Sequence, residues 1–472
     1  MNNIISNIYN KIPFSKIKYA TERVWGTLPD RIRFGSDFQQ TLNLLRETDR
    51  WSEDQLNDYQ IRQLKNTLSN VASSVPFYIK TFKDWGIAVD RINDLSDLKK
   101  IPIMTKNIMR SDIHNFLSEK YKKNRLIHAT TSGSSGQTFD FYKSRKHSAQ
   151  EWAFITHLWS RIGFTNKDWR IVMRGPIVGH SKKGVYWQYK PKNRELILST
   201  YHMSDENMFQ YVNIIKESGY KFLHCHPSSA FIFANFLNNN NITCPLKAVL
   251  AASETVYPFQ RKIMEDVFQC RVYSFYGQSE QVCLAGECEE SEFYHIQPEY
   301  GITEILDANG NEIKDENQIG EIVATGFIND AMPFIRYRTA DLATISPHQC
   351  SCGRKHKLIK RIEGREHEYV VTRDGRLVSL TGLIHGQHFD AFSKIIKMQI
   401  YQKHKGGIEV RIVKNSDFTK EDEIKISQGI MQCLISGMDI KFVYLEDIPL
   451  SKRGKHKFLI QEIKMDFLSQ TG

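Results

Sequence analysis

The chain has 472 residues, of which 41% are hydrophobic and 25% charged. That length exceeds one ordinary domain and implies two or three, and the composition excludes a disordered or fibrous chain. The formal net charge of +11 favours anionic partners. Lys and Arg are spread along the chain rather than massed in one tail, so nucleotide, coenzyme A or an anionic surface could each account for it.

The first 20 residues, "MNNIISNIYNKIPFSKIKYA", lack the apolar core and small-residue cleavage site of a signal peptide. The best apolar run, "SSAFIFANFL" (228–237), is too short to span a bilayer. The cytoplasm is therefore the expected compartment. Eight cysteines in a chain of this length do not make a disulfide scaffold.

Residues 1–125 read as helical and charged, with "DQLNDYQIRQLKNTLSNVASSV" the clearest amphipathic stretch. From 126 the texture changes. "RLIH" and "TFDFY" read as strands flanking a turn of hydroxyls and glycines, Thr130, Thr131, Ser132, Gly133, Ser134, Ser135 and Gly136. Such a turn suits a surface hairpin, but it also suits an anion, because glycines let backbone N–H groups approach and hydroxyls add donors without bulk. It is not a Walker loop, since Gln137 follows Gly136, nor a G-x-G-x-x-G turn.

A helix "AQEWAFITHLWSRIGF" comes next. Strands "WRIVMRG", "KFLHCH", "KAVLAAS" and "RVYSFYG" then alternate with helices "NMFQYVNIIKESG", "PSSAFIFANFLNN" and "YPFQRKIMEDVF". This alternation predicts a parallel sheet covered by helices. Ligands of such sheets lie beyond the carboxyl ends of the strands, which directs attention to the loops after "KAVLAA" and "RVYSFYG". After 290 the pattern becomes antiparallel, with turns at Asn309-Gly310 and Asp374-Gly375. The last hundred residues, with a helix at 420–437, read as a small α+β unit. The boundary is placed near Gly364-Arg365, giving a domain over 1–364 (helical 1–125, α/β 126–290, antiparallel 291–364) and a second over 365–472.

Four of the eight cysteines fall between 283 and 352. Cys288, His295, Cys350 and Cys352 form a C-x6-H pair followed by C-x-C-G, a set of sulfur and imidazole donors that fits a tetrahedral, closed and therefore structural zinc site. Unligated buried thiols are the plainer reading of the same residues.

The turn at 130–138, "YGQSE" (276–280), "RYRTAD" (336–341) and "SKRGKHK" (451–457), in that order and at those spacings, resemble the adenylate-forming superfamily of acyl-CoA synthetases, adenylation domains and luciferases. "MPFIRYRTAD" and the Cys/His cluster are most similar to its phenylacetate–CoA ligase and CapK-type branch. The resemblance implies an α/β fold: a large N-terminal adenylate-forming domain with helix-covered sheets, and a small mobile C-terminal α+β lid. It implies that the 130–136 turn grips the β- and γ-phosphates of ATP, that Tyr276 stacks on adenine beside Gly277, and that Ser279 contacts the α-phosphate. Glu280 would hold Mg2+, and Asp341 would accept both ribose hydroxyls. Ser253 and Glu254 in "SETVYP" would line the adenine and acyl pockets, and Arg365 would sit at the hinge. Lys455 would stabilise the charge that develops as a carboxylate attacks the α-phosphate. Ala340 stands where this family carries glycine, and alanine disfavours positive φ. Glu366 and His367 stand where the family carries an acidic pair.

The implied activity is ATP-dependent adenylation of a carboxylic acid followed by transfer to coenzyme A, with a role in surface polysaccharide biosynthesis. A second reading sends the acyl group to a carrier protein or to an amine such as an amino sugar. A third, prompted by basic charge and C-x-C, is a zinc-containing nucleic-acid-binding protein. No interleaved basic and aromatic stripe supports that last reading, and no nucleic-acid partner is expected.

Overall fold

The computed structural model describes residues 15–131, 139–174, 178, 184–365, 369–373, 375, 377–379, 394–434, 438–450 and 456–463. Its centre is one sheet of twelve strands. Across the sheet the order is Gly301–Leu306, Gly320–Gly326, Tyr337–Ser346, Leu358–Arg365, Tyr294–Ile296, Leu284–Gly286, Val272–Gly277, Ala248–Ala252, Phe222–Cys225, Arg170–Met173, Glu195–Leu198 and Trp187–Lys190. The five strands from Val272–Gly277 to Glu195–Leu198 are parallel. Three of them, Arg170–Met173, Phe222–Cys225 and Ala248–Ala252, are buried at every position, as strands covered on both faces must be.

The expected α/β alternation is therefore present, with two differences. The antiparallel part is not separate: Leu284–Gly286 runs antiparallel beside Val272–Gly277 and joins both halves into one sheet. The strands Glu195–Leu198 and Trp187–Lys190 were not foreseen in the long polar stretch that follows "WRIVMRG". Asn309-Gly310 makes its turn through Gly310 at φ 80°, and the strands on either side of it pair antiparallel.

The covering helices start and stop where their sequences say they should. Asp205–Ser218 is capped by Ser204 and ended by Gly219 in the left-handed region. Pro227–Asn239 and Pro258–Phe268 both open on proline, which fits a first helical turn that has no N–H partner.

The N-terminal region is helical from Ser15, and its longest helix, Glu53–Ser74, begins with a Ser52/Gln55 capping box. Its apolar face (Leu64, Leu68, Val71) shares a core with Tyr276 and Tyr337 of the sheet. The segment leading to Lys106 docks on the sheet itself. Met104 N–H donates to the Arg336 carbonyl at 2.9 Å, and Arg338 N–H donates to the Met104 carbonyl at 2.9 Å. Arg336 adds a bidentate pair with Glu304 at 2.8 and 2.9 Å and a bond to the Ile101 carbonyl at 2.7 Å.

Ile127–Thr131 and Phe139–Lys143 form a separate antiparallel ribbon in which Thr131 faces Phe139. The C-terminal unit is a four-stranded sheet in the order Asp439–Tyr444, Gly407–Lys414, Ile395–Gln402 and Leu459–Gln461, with the helix Lys420–Leu434. A short hairpin, Tyr369–Val371 with Leu377–Ser379, precedes it. Asn235 of the large unit donates to the Ile395 carbonyl at 2.8 Å. No described helix is long and apolar enough to cross a membrane.

Candidate active site

Parallel strands end together, so their register fixes what shares the carboxyl edge. Met173, Cys225, Ala251 and Ser274 lie in one row. Just beyond that row, Arg174 and His226 one residue on and Ser253 and Tyr276 two residues on emerge at the same rim. On its other side Tyr337–Ser346 brings Asp341 toward Tyr276. The Tyr276 hydroxyl donates to Asp341 Oδ2 at 2.7 Å and accepts from Gln278 at 3.1 Å. Burial, and then the Asp341 charge, push the Tyr276 phenol well above its ordinary range, so it acts here as a fixed donor.

Glu280 is 3% exposed. It accepts from the Tyr337 hydroxyl at 2.8 Å and pairs with Lys106 Nζ at 3.1 Å. Gly277 and Ser279, on the same turn, are exposed. A Cβ on Gly277 would come 3.3 Å from Leu284, so the bare backbone suits this close approach.

The backbone at the rim is strained. Seven described non-glycine residues have positive φ, and four of them belong to the site: Ser253 (72°), Gln281 (57°), Arg336 (43°) and Ala340 (63°). Ala340 keeps the left-handed conformation despite its methyl. Its N–H donates to Glu321 Oε1 at 3.0 Å, and Glu321 is held by Arg338 at 2.6 Å. Strain of this kind persists only where the surroundings over-determine it.

The remaining expected residues divide into three groups. Thr130 donates its hydroxyl to Asp140 on the ribbon at 2.7 Å. Ser253 accepts from Arg174 at 2.6 Å. Glu254 binds the Ser228 N–H at 3.0 Å, so this oxygen caps the helix Pro227–Asn239 and is turned to a structural use. The backbone of Thr131 ends its ribbon strand, and Arg365 faces Asp341 in register. Ser132, Gly133, Ser134, Ser135, Gly136 and Lys455, together with Glu366 and His367, lie outside the described residues.

Lys106 was not foreseen. A lone lysine in a charged N-terminal stretch carries no pattern, and only the docking of Met104 on Tyr337 brings it to Glu280. Arg174 and His224 were also missed, because "WRIVMRG" and "KFLHCH" read simply as strands.

The Cys/His cluster closes as expected. The donor atoms of Cys288, His295, Cys350 and Cys352 all lie within 4.8 Å of one another. Cys288 Sγ is 3.6 Å from Cys350 Sγ, and Cys352 Sγ is 3.8 Å from His295 Nε2. The sulfur–sulfur separation is too long for a disulfide. Both distances are close to the edges of a tetrahedron built on metal–donor bonds of roughly 2.0–2.3 Å. The donor set therefore fits zinc, with all four corners supplied by protein.

Residues 370–462 match the family model of the CapK C-terminal domain. The chain is 24% identical over 98% of its length, and 100% of the relative's, to Protein CapK of Staphylococcus aureus. It is 22% identical to the phenylacetate–coenzyme A ligase of Thermus thermophilus, over 68% of this chain and 72% of that one. It is 24% identical to the Escherichia coli enzyme of the same name, over 68% and 74%. Among solved structures, 2-hydroxyisobutyryl-CoA ligase in its postadenylation state superposes with a TM-score of 0.70 at 14% identity, covering 88% of this chain and 92% of that one.

The fold is thus that of the adenylate-forming CoA ligases. In sequence the chain is similar to the phenylacetate–CoA ligases over about two thirds of its length and to CapK over nearly all of it.

Proposed function

We propose that the chain is an AMP-forming acid–thiol ligase: it activates a carboxylic acid with ATP as an acyl-adenylate and passes the acyl group to coenzyme A. The supporting observation is the meeting of Tyr276, Glu280 and Asp341 at one sheet edge, through the 2.7 Å Tyr276–Asp341 bond and the buried Glu280. In this reading Tyr276 and Gly277 receive the adenine, Asp341 the ribose diol, and Ser279 the α-phosphate. The turn at 130–136 receives the β- and γ-phosphates.

Glu280 is a single buried carboxylate, which suits Mg2+ held by one protein oxygen together with substrate phosphates. The ion would neutralise phosphate charge during attack. Lys106, already 3.1 Å from Glu280, is a further cation for those phosphates. Lys455 is the proposed cation of the first half-reaction, carried by a lid that begins at Arg365. Cys288, His295, Cys350 and Cys352 hold a structural zinc.

The likeness to CapK runs the full length, while that to the phenylacetate–CoA ligases covers 68% of the chain. This favours, as a second reading, a different acceptor: a carrier protein or an amine of a surface polysaccharide.

Pyrophosphate release across a panel of carboxylic acids tests the adenylation, and none with any acid would sink it. Dependence of product on free coenzyme A separates the two acceptors. Lys455→Ala should lose adenylate formation by orders of magnitude yet still make thioester from prepared acyl-adenylate. Equal loss of both steps would remove Lys455 from this role.

A further inference from the structure

The acid itself has left a trace on the rim. Arg174 follows the strand Arg170–Met173, and its guanidinium reaches across Phe222–Cys225. NH1 donates to His224 Nε2 at 2.7 Å and NH2 donates to Ser253 Oγ at 2.6 Å. Arginine only donates, so Nε2 of His224 is the acceptor and the imidazole is neutral with its proton on Nδ1. Burial, and then Arg174 itself, hold His224 well below its ordinary range, which agrees with that tautomer.

Both described partners of Arg174 are therefore neutral. Arg174 is half-buried at the rim, and the well-buried arginines are treated differently. Arg33, Arg161, Arg170, Arg261, Arg336 and Arg354 have side chains at most 10% exposed, and each meets a carboxylate within 4 Å. Arg174 has no carboxylate at that distance among the described residues. Glu254 and Glu195 act on it only from farther away, and burial still lowers its pKa.

A brace between strand ends would need no net charge, or would be matched like the others. An arginine with spare donors and only neutral partners is instead provisioned for an anion that comes and goes. Its position says which one. Ser253 follows Ala252, which pairs with Phe275, the residue before Tyr276, so the guanidinium and the proposed adenylation residues share one rim.

The geometry points to Arg174 as the specificity residue for an acid that carries a second anionic group, a dicarboxylic acid in its simplest form: one carboxylate goes to ATP and the other to Arg174, steered by His224 and Ser253. This inference rests on the adenylation reading of the same site. A planar guanidinium can accept a carboxylate in two parallel bonds, and a site built for such bonds rejects an analogue lacking them far more strongly than an apolar pocket discriminates by size.

The test uses the full-length chain and its Arg174→Met and Arg174→Lys variants. Pyrophosphate release is measured with succinate, glutarate and adipate, each against the monocarboxylic acid of equal length, and with phenylacetate. The wild type should favour a diacid over its partner by at least about tenfold in kcat/KM. Arg174→Met should erase or invert that preference while still turning over monoacids, and Arg174→Lys should keep part of it. A wild type that prefers monoacids or phenylacetate overturns the inference, and so does a diacid preference that survives in Arg174→Met. If no acid releases pyrophosphate, the adenylation reading fails separately. The diacids are then read by binding: a rise in melting temperature with wild type but not with Arg174→Met supports the role of Arg174, and no rise overturns it.

Discussion

Toward its beginning the strand Tyr337–Ser346 carries Ala340 in a left-handed conformation and hands Asp341 to Tyr276. Beyond its other end the chain turns into Cys350 and Cys352, and there the charges are matched. Arg354 donates to Asp49 at 2.8 Å and to Glu289 at 2.9 Å, His157 contacts Asp49 at 3.1 Å, and Arg261 pairs with Glu287 at 2.6 Å. Burial alone would raise the Asp49 carboxyl, but hydrogen bonds from His157 and Arg354 carry it far below its usual range. At the rim, by contrast, backbone strain is retained and Arg174 has only neutral partners among the described residues. Near the Cys/His cluster opposite charges are set against one another; at the rim the described partners of Arg174 carry no charge.

The largest break in this contrast should come from Glu280→Gln. The amide keeps an acceptor for Tyr337 but loses the charge, so pyrophosphate release should fall by roughly 100-fold or more with little change in melting temperature. Near-normal release would remove Glu280 from the chemistry. Cys350→Ser should do the reverse. Stability should drop by on the order of several kcal/mol, because a structural metal contributes folding energy directly. Zinc content, measured on protein purified without a metal-affinity tag, should fall from about one per chain; no zinc in the wild type would reduce the cluster to thiols.

A third test concerns His147, fully buried beside Lys143 on the helix Arg145–Ser160. Neither ring nitrogen has a partner among the described residues. Burial, and then Lys143, lower its pKa from 6.5 to about 3. The folded protein keeps this imidazole neutral while the unfolded chain protonates it. The contribution is therefore complete above pH 6.5 and is lost as pH falls toward about 3, at no more than about 1.4 kcal/mol per pH unit. His147→Gln should flatten that part of the stability–pH profile, and an unchanged slope would show that His147 does not set it. The smallest expected effect is at Ala340. Ala340→Gly relieves a methyl at φ 63° and should stabilise the protein by about 1 kcal/mol in denaturant melts; destabilisation would mean the strain is not borne there.

Much of this was legible in the sequence for a physical reason. The buried parallel strands carry short apolar runs, the helices between them open on serine or proline, and one closes on glycine. The Cys/His spacing was legible because donors must converge within one coordination sphere. Three things were not. Leu284–Gly286 is three residues long, too short to carry a period, so the fusion of both halves into one sheet was hidden. That one Glu254 oxygen accepts from a helix N–H was hidden as well, because nothing local ties it to Ser228, 26 positions earlier. Lys106 and Arg174 take their meaning from partners 174 and 79 residues away.

The docking of Met104 on Tyr337 bears on how this chain can be cut. A truncation that begins at residue 126, where the texture of the sequence changes, looks like a clean domain boundary. It would strip Lys106 from Glu280, uncover the apolar face that Tyr276 and Tyr337 share with Leu64 and Leu68, and leave the buried Arg336–Glu304 pair without the Ile101 carbonyl. The segment up to Lys106 is thus a wall of the candidate site rather than an appendage, and fragments for structural or binding work need to retain it.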